Sequence, residues 1–225
     1  MTTTRRPIIA GNWKMNTLLE DAKALAIGVR DATAKFVDSV DVVVIPPSCF
    51  LVPVLSALGA DSAVGVGAQN VHPEARGAFT GELSAPMVGN LGCRYVVCGH
   101  SERRALFGEP SEFVGLKVAS VHAAGMTPIL CVGETLEQRE AKETMAVVTH
   151  QLVKGISTLN ADAAAAIVVA YEPVWAIGTG LTATPAQAQE IHAGLRAVLA
   201  NELGEARAQQ IRIQYGGSVK PHNAA

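Results

Sequence analysis

The sequence predicts a single parallel α/β domain over residues 1–225, and three observations carry that prediction. Brief apolar runs rich in β-branched residues recur along the chain, as strands buried on both faces require. Longer segments with helical periodicity separate them. No Gly/Ser/Pro-rich linker, charge block or low-complexity tract divides the chain. Strand–helix alternation of this kind fits an open doubly wound sheet and a (β/α)8 barrel alike.

Pro7–Gly11 is the first strand. The helix after it presents an apolar face of Leu18, Ala22, Leu25, Ala26 and Val29, and a capping box is expected at Thr17–Glu20. Strands two to five are Asp41–Pro46, Val64–Ala68, Tyr95–Gly99 and Thr127–Val132, with Gly125 at a helix C-cap just before the last of these. A second box, Thr135–Gln138, opens the next helix. Strand six is Ile167–Tyr171. A third box, Thr184–Gln187 with Pro185 at the first helical position, opens a helix that stops near Gly204. Ile211–Tyr215 is the seventh strand, and the chain reaches Ala225 as an eighth unit should be approaching.

Composition narrows the function. Hydrophobic residues make up 49 % and charged residues 17 %, too apolar for a disordered chain. A net charge of −2 and the lack of any Lys/Arg-rich run speak against nucleic-acid or membrane-surface partners. No apolar stretch approaches the ~20 residues that span a bilayer. The segment Met1–Ala10 has no signal-peptide pattern, so no secretory leader is expected. Cys49, Cys93, Cys98 and Cys131 form no C-x-x-C pair, and they read as reduced thiols of a cytoplasmic protein. Without a Walker motif, dinucleotide fingerprint or metal-ligand cluster, the expected chemistry uses no cofactor and no metal.

Polar and ionisable residues follow the strand ends, where barrels of this kind gather function. Asn12 and Lys14 follow strand one, and Lys14 brings a compact cation suited to a phosphate or a developing oxyanion. His100, ahead of Ser101 and Glu102, stands at a helix start whose dipole disfavours imidazolium, so it is expected to act as a neutral hydrogen-bond donor. Glu172 ends strand six before Pro173 and is either a buried ion-pair partner or a general base. The following segment, with glycines at 178 and 180 between stiffer ends, reads as a lid. Gly216-Gly217-Ser218 is either an anion-binding turn or an ordinary strand-to-helix turn.

These segments resemble the signatures of the triosephosphate isomerase family. The matching stretches are Ala10-Gly11-Asn12-Trp13-Lys14-Met15-Asn16, Cys98-Gly99-His100-Ser101-Glu102-Arg103-Arg104, Ala170 through Gly180, and Tyr215-Gly216-Gly217-Ser218, in the family's order. Ala68-Gln69-Asn70 and Gly77 through Glu82 match as well. The resemblance implies the (β/α)8 TIM barrel, here lacking the C-terminal strand 8 and helix 8 and so truncated at its end. It implies aldose–ketose isomerisation of triose phosphates in glycolysis and gluconeogenesis. Glu172 would move the proton, His100 would stabilise the enediolate, and Asn12 and Lys14 would bind substrate and developing charge. Glu102, with Ser101, would act from behind them, Glu102 by organising Lys14. Gly178 and Ser218 would hold the phosphate as the lid Ala176, Ile177, Gly178, Thr179 and Gly180 closes. A homodimer is implied, with the loop from Asn70 to Pro86 entering the partner and Thr80 near its active site. The alternatives are a catalytically impaired phosphate-binding barrel of the same family and, further off, a Schiff-base aldolase using Lys14. Leu181 stands where the family often has a basic residue.

Overall fold

The computed structural model describes residues 5–219. Seven strands form one sheet in sequence order, β1 to β7: Ile8–Asn12, Asp41–Ile45, Gly65–Ala68, Tyr95–Cys98, Thr127–Val132, Val168–Tyr171 and Arg212–Tyr215. Each lies within one residue of its predicted bounds at both ends. The β1–β2, β2–β3, β3–β4 and β6–β7 pairs run parallel. A doubly wound sheet reverses its strand order at a switch point, whereas a (β/α) barrel keeps it sequential. The observed order is that of the barrel. No eighth strand occurs among the described residues.

Helices separate the strands. They are α1 (Leu19–Thr33), α2 (Leu51–Leu58), α3 (Ala85–Leu91), α4 (Ser101–Phe107), α5 (Ser111–Ala123), α6 (Leu136–Glu140), α7 (Thr144–Ile156), α8 (Ala161–Ala165), α9 (Pro185–Leu203) and α10 (Glu205–Ala208). In α9 the buried residues Ile191, Leu195 and Leu199 recur every fourth position, and α7 buries Thr144, Val148, Leu152 and Ile156 in the same rhythm. The capping boxes at Thr135–Gln138 and Thr184–Gln187 both form.

The box expected at Thr17–Glu20 does not form. The N-cap of α1 is Leu18, without a side-chain cap, and Thr17 has φ +76° with its Oγ1 buried and unpartnered among the described residues. The apolar face of α1 is also narrower than its pattern, because Ala22 and Ala26 are buried while Leu18 and Leu25 are exposed. Small residues on that face let α1 lie close to its support, and Arg30 reaches Ala57 O and Leu58 O at the end of α2.

The chain divides into two compact units. One comprises residues through Cys98 together with Leu116–Ile129, and the other comprises Gly99–Gly115 together with residues from Leu130 onward. The first has Val43, Val44, Ile45, Val66 and Val96 at its centre. The second is built on Leu130, Val168, Val169, Leu195 and Ile211. Burying apolar area contributes on the order of 25 cal/mol per Å², so these β-branched runs supply the main driving force of each unit. The β1 and β7 ends of the sheet order are less buried than its middle, with Ile9 in β1 largely exposed.

Candidate active site

Glu172 follows β6, and its position is fixed by close backbone neighbours. Its N–H donates to Val132 O at 2.8 Å, in register with the end of β5. A Cβ on Gly133 would lie 1.7 Å from Glu172 O, and one on Gly216 would lie 2.8 Å from Glu172 Cγ. Only glycine admits that approach, so the glycines after β5 and β7 make the space the glutamate occupies. Gln151 on α7 holds Gly133 at both ends, its Oε1 accepting from Gly133 N at 2.7 Å and its Nε2 donating to Gly133 O at 3.1 Å.

Glu172 is 4 % exposed. Its Oε2 accepts the backbone N–H of Ser101 at 2.9 Å, at the first turn of α4. Its Oε1 lies 3.4 Å from His100 Nε2. His100 is the N-cap of α4, and its Nδ1 accepts from Glu102 N at 3.2 Å. An Nδ1 that accepts a backbone N–H leaves the ring proton on Nε2, the atom that faces the carboxylate. The Glu102 carboxylate also approaches His100 Nδ1, at 3.6 Å. A buried carboxylate thus faces an imidazole N–H at 3.4 Å, with no room for a further atom between them.

The segment expected to form a lid leaves the same strand. Val174–Ala176 forms a 3-10 turn, Ala176 is buried, and the tip from Gly178 to Gly180 is exposed. Gly178 N donates to Ser218 Oγ at 3.2 Å, and Ala183 N donates to Tyr215 OH at 3.4 Å, so the tip and the residues just after it meet residues at or just after β7. Glu134, just after β5 and fully buried, packs against the segment's first residues, its backbone O accepting from Val174 N at 3.1 Å. Glu134 accepts from Trp175 Nε1 at 2.8 Å and from Tyr171 OH at 3.1 Å, and pairs with Arg139, whose guanidinium stacks 4.7 Å over the Trp175 ring. Burial and the neighbouring Glu134 push the Tyr171 phenol well above its ordinary range, so it remains a donor to that carboxylate.

Asn12 and Lys14 belong to the other unit. Asn12 closes β1, and its Oδ1 accepts Lys14 N–H at 2.9 Å. Lys14 has φ +54°, a conformation that costs a non-glycine residue of order 1–3 kcal/mol and that clusters at functional sites. Gln69 Nε2 holds it there by donating to Lys14 O at 2.8 Å and to Ile45 O at 3.2 Å. Thr80 is exposed in the segment after β3, which closes on itself where His72 N donates to Leu83 O at 2.7 Å. Phe79 at its tip stacks on His72, while Val71 at its base is buried within the same unit.

The structure therefore gathers His100, Ser101, Glu102 and Glu172 in one unit, which also holds the bonded pair Gly178 and Ser218, and Asn12 with Lys14 in the other. Sequence reasoning missed Glu134, and it placed Arg104 and Tyr215 in matching stretches without giving either a role of its own. Glu134 stands just after β5, the kind of position that marked out Glu172, and that placement is the signal that finds it.

Comparison with known proteins places the chain in one family. The profile described as triosephosphate isomerase matches residues 7–225. A triosephosphate isomerase of Magnetococcus marinus is 55 % identical over 222 residues, covering 98 % of this chain and 87 % of that one. Those of Chloroflexus aurantiacus and Rhodopirellula baltica are 51 % and 50 % identical, covering 97 % and 98 % of this chain and 87 % and 86 % of theirs.

Proposed function

Because the chain belongs to the triosephosphate isomerase family, we propose that it interconverts dihydroxyacetone phosphate and D-glyceraldehyde 3-phosphate by proton transfer through an enediolate. The observation that carries the mechanism is the buried Glu172 carboxylate facing His100 Nε2 at 3.4 Å. That gap is too narrow for a carbon–carbonyl unit, so substrate binding requires the carboxylate to leave Ser101 N–H and swing over the reacting carbon. Glu172 then takes the proton from the carbon beside the carbonyl and returns it to the neighbouring carbon. His100 donates from Nε2 to the carbonyl oxygen as negative charge develops there.

Asn12 and Lys14 bind substrate and the developing charge, Glu102 organises Lys14, and Ser101 holds the base at rest. Gly178 and Ser218 grip the phosphate while the lid from Ala176 to Gly180 excludes water. The reading extends to one barrel domain working as a homodimer in cytoplasmic glycolysis and gluconeogenesis, with Thr80 reaching the partner's site. Support for the dimer is the exposed tip carrying Phe79 and Thr80; support for the compartment is that all four thiols are free.

The test is a coupled assay with both triose phosphates on the protein and on Glu172→Gln. Loss of a general base costs typically about 10²–10⁴ in rate, so kcat should fall by that much with the KM values changed little. Near-normal turnover by the variant removes Glu172 from the mechanism. No turnover by the parent chain defeats the activity itself.

A further inference from the structure

Arg104 lies on α4, three residues past Ser101, and its guanidinium ties together the backbone around Glu172. Nε donates to Gly99 O at 2.8 Å, Nη2 to Cys131 O at 3.1 Å and Nη1 to Ser111 Oγ at 3.1 Å. Gly99 immediately precedes His100 and Ser101, whose Nε2 and N–H both face the glutamate. Cys131 is two residues before Gly133, the glycine pressed against Glu172 O. One planar fork thus joins the turn after β4 to the end of β5, a geometry that a single ammonium cannot reproduce.

The same guanidinium carries charge into this region. Arg104, Ser101 and Glu172 line one cavity of about 220 Å³. Burial weakens Arg104's hold on its proton and is the largest effect, while the neighbouring Cys131, Glu172 and Glu109 act to strengthen it.

We infer that Arg104 is a positioning residue for proton transfer: it holds the His100–Ser101 turn and the end of β5 against Glu172 and supplies standing positive charge beside the base. This rests on Glu172 being the base. Arg104 itself touches no reacting atom. Its loss should therefore slow the proton-transfer step and leave substrate affinity nearly unchanged.

The experiment measures kcat, KM, melting temperature and the primary deuterium isotope effect for Arg104→Lys and Arg104→Met, using D-glyceraldehyde 3-phosphate deuterated at carbon 2. Misplacing a catalytic group by about 1 Å can cost ~10²-fold, so Arg104→Met should lose roughly that in kcat with KM within a few-fold. The isotope effect should rise, because proton transfer then limits the rate more fully. Arg104→Lys keeps the charge without the fork and should fall between the methionine variant and the parent. A purely structural role would lower kcat in step with the folded fraction at constant isotope effect, and that result overturns the inference. So does parental kcat in both variants. Should the methionine variant fail to fold, the lysine variant decides alone: a raised isotope effect with unchanged KM supports the inference, and a parental isotope effect ends it. If Glu172→Gln retains turnover, the fault lies in the base assignment. If Glu172→Gln is inactive while both arginine variants behave as the parent, only the role of Arg104 falls.

Discussion

Glu172 sits with backbone close on both sides, whereas Lys14 sits in a strained turn that two neighbouring side chains hold in place. Around the glutamate, Gly133 and Gly216 leave no room for a Cβ, Val132 O holds its backbone N–H, and Ser101 N–H holds its carboxylate at rest. Around the lysine, Asn12 Oδ1 and Gln69 Nε2 hold a left-handed residue that would otherwise relax. The difference follows from the chemistry proposed for each. A base must meet one carbon within a fraction of an ångström, and backbone packing gives that precision. An ammonium on a four-carbon stem finds an anion over a wider range, so its support need only set the direction in which the stem leaves the chain.

The largest test of that contrast is Gly133→Ala. The new Cβ would fall 1.7 Å from Glu172 O, and backbone must move to admit it. Overpacking typically costs about 1–3 kcal/mol, occasionally more, so urea denaturation should show a loss of at least that order. The kcat should fall as well, because the atom displaced belongs to the base. Unchanged stability and turnover would mean that the packing around Glu172 yields easily and that the contrast with Lys14 is false.

Gln69→Ala probes the other side and should do less. It removes the donor to Lys14 O and Ile45 O in a half-buried place that water can reach. A net hydrogen bond contributes about 0.5–1.5 kcal/mol, so a stability loss near 1 kcal/mol is expected, with KM raised more than kcat is lowered. A loss as large as that of Gly133→Ala would show that side chains build Lys14's turn as firmly as backbone encloses Glu172.

How much of this was legible in the sequence depended on whether the deciding contact was local. Strand positions came through within a residue, because short, mostly apolar runs bounded by turn residues admit little else. Glu172, His100 and Lys14 stood out through their places at strand ends. Arg104 did not, since its role comes from Gly99 O and Cys131 O, the second of which lies 27 residues away and is brought near only by the fold. Glu134 escaped for the same reason, with Tyr171 and Trp175 lying 37 and 41 residues downstream. The narrow face of α1 was misjudged because period alone cannot tell which leucines find a neighbour to cover them.

The smallest effect separates two threonines that look alike. Both Thr17 and Thr184 precede a helix, and each has a Glu or Gln three residues on. Thr184 has extended backbone (φ −68°, ψ 155°), its hydroxyl accepts from Gln187 N, and the Gln187 side chain accepts from Thr184 N in return. Removing such a cap typically costs ~1 kcal/mol, and Thr184→Ala should lose about that much in chemical denaturation. Thr17 lies in the turn that carries Lys14, at φ +76°, where its hydroxyl reaches no helix N–H and stays unpartnered among the described residues. Alanine there removes a β-branched side chain from a backbone region it fits poorly, together with a buried hydroxyl that gains nothing. Thr17→Ala should therefore leave stability unchanged or raise it by up to about 1 kcal/mol. Equal losses from the two substitutions would show that Thr17 caps α1 in solution after all, and that the turn beneath Lys14 is less strained than its φ indicates.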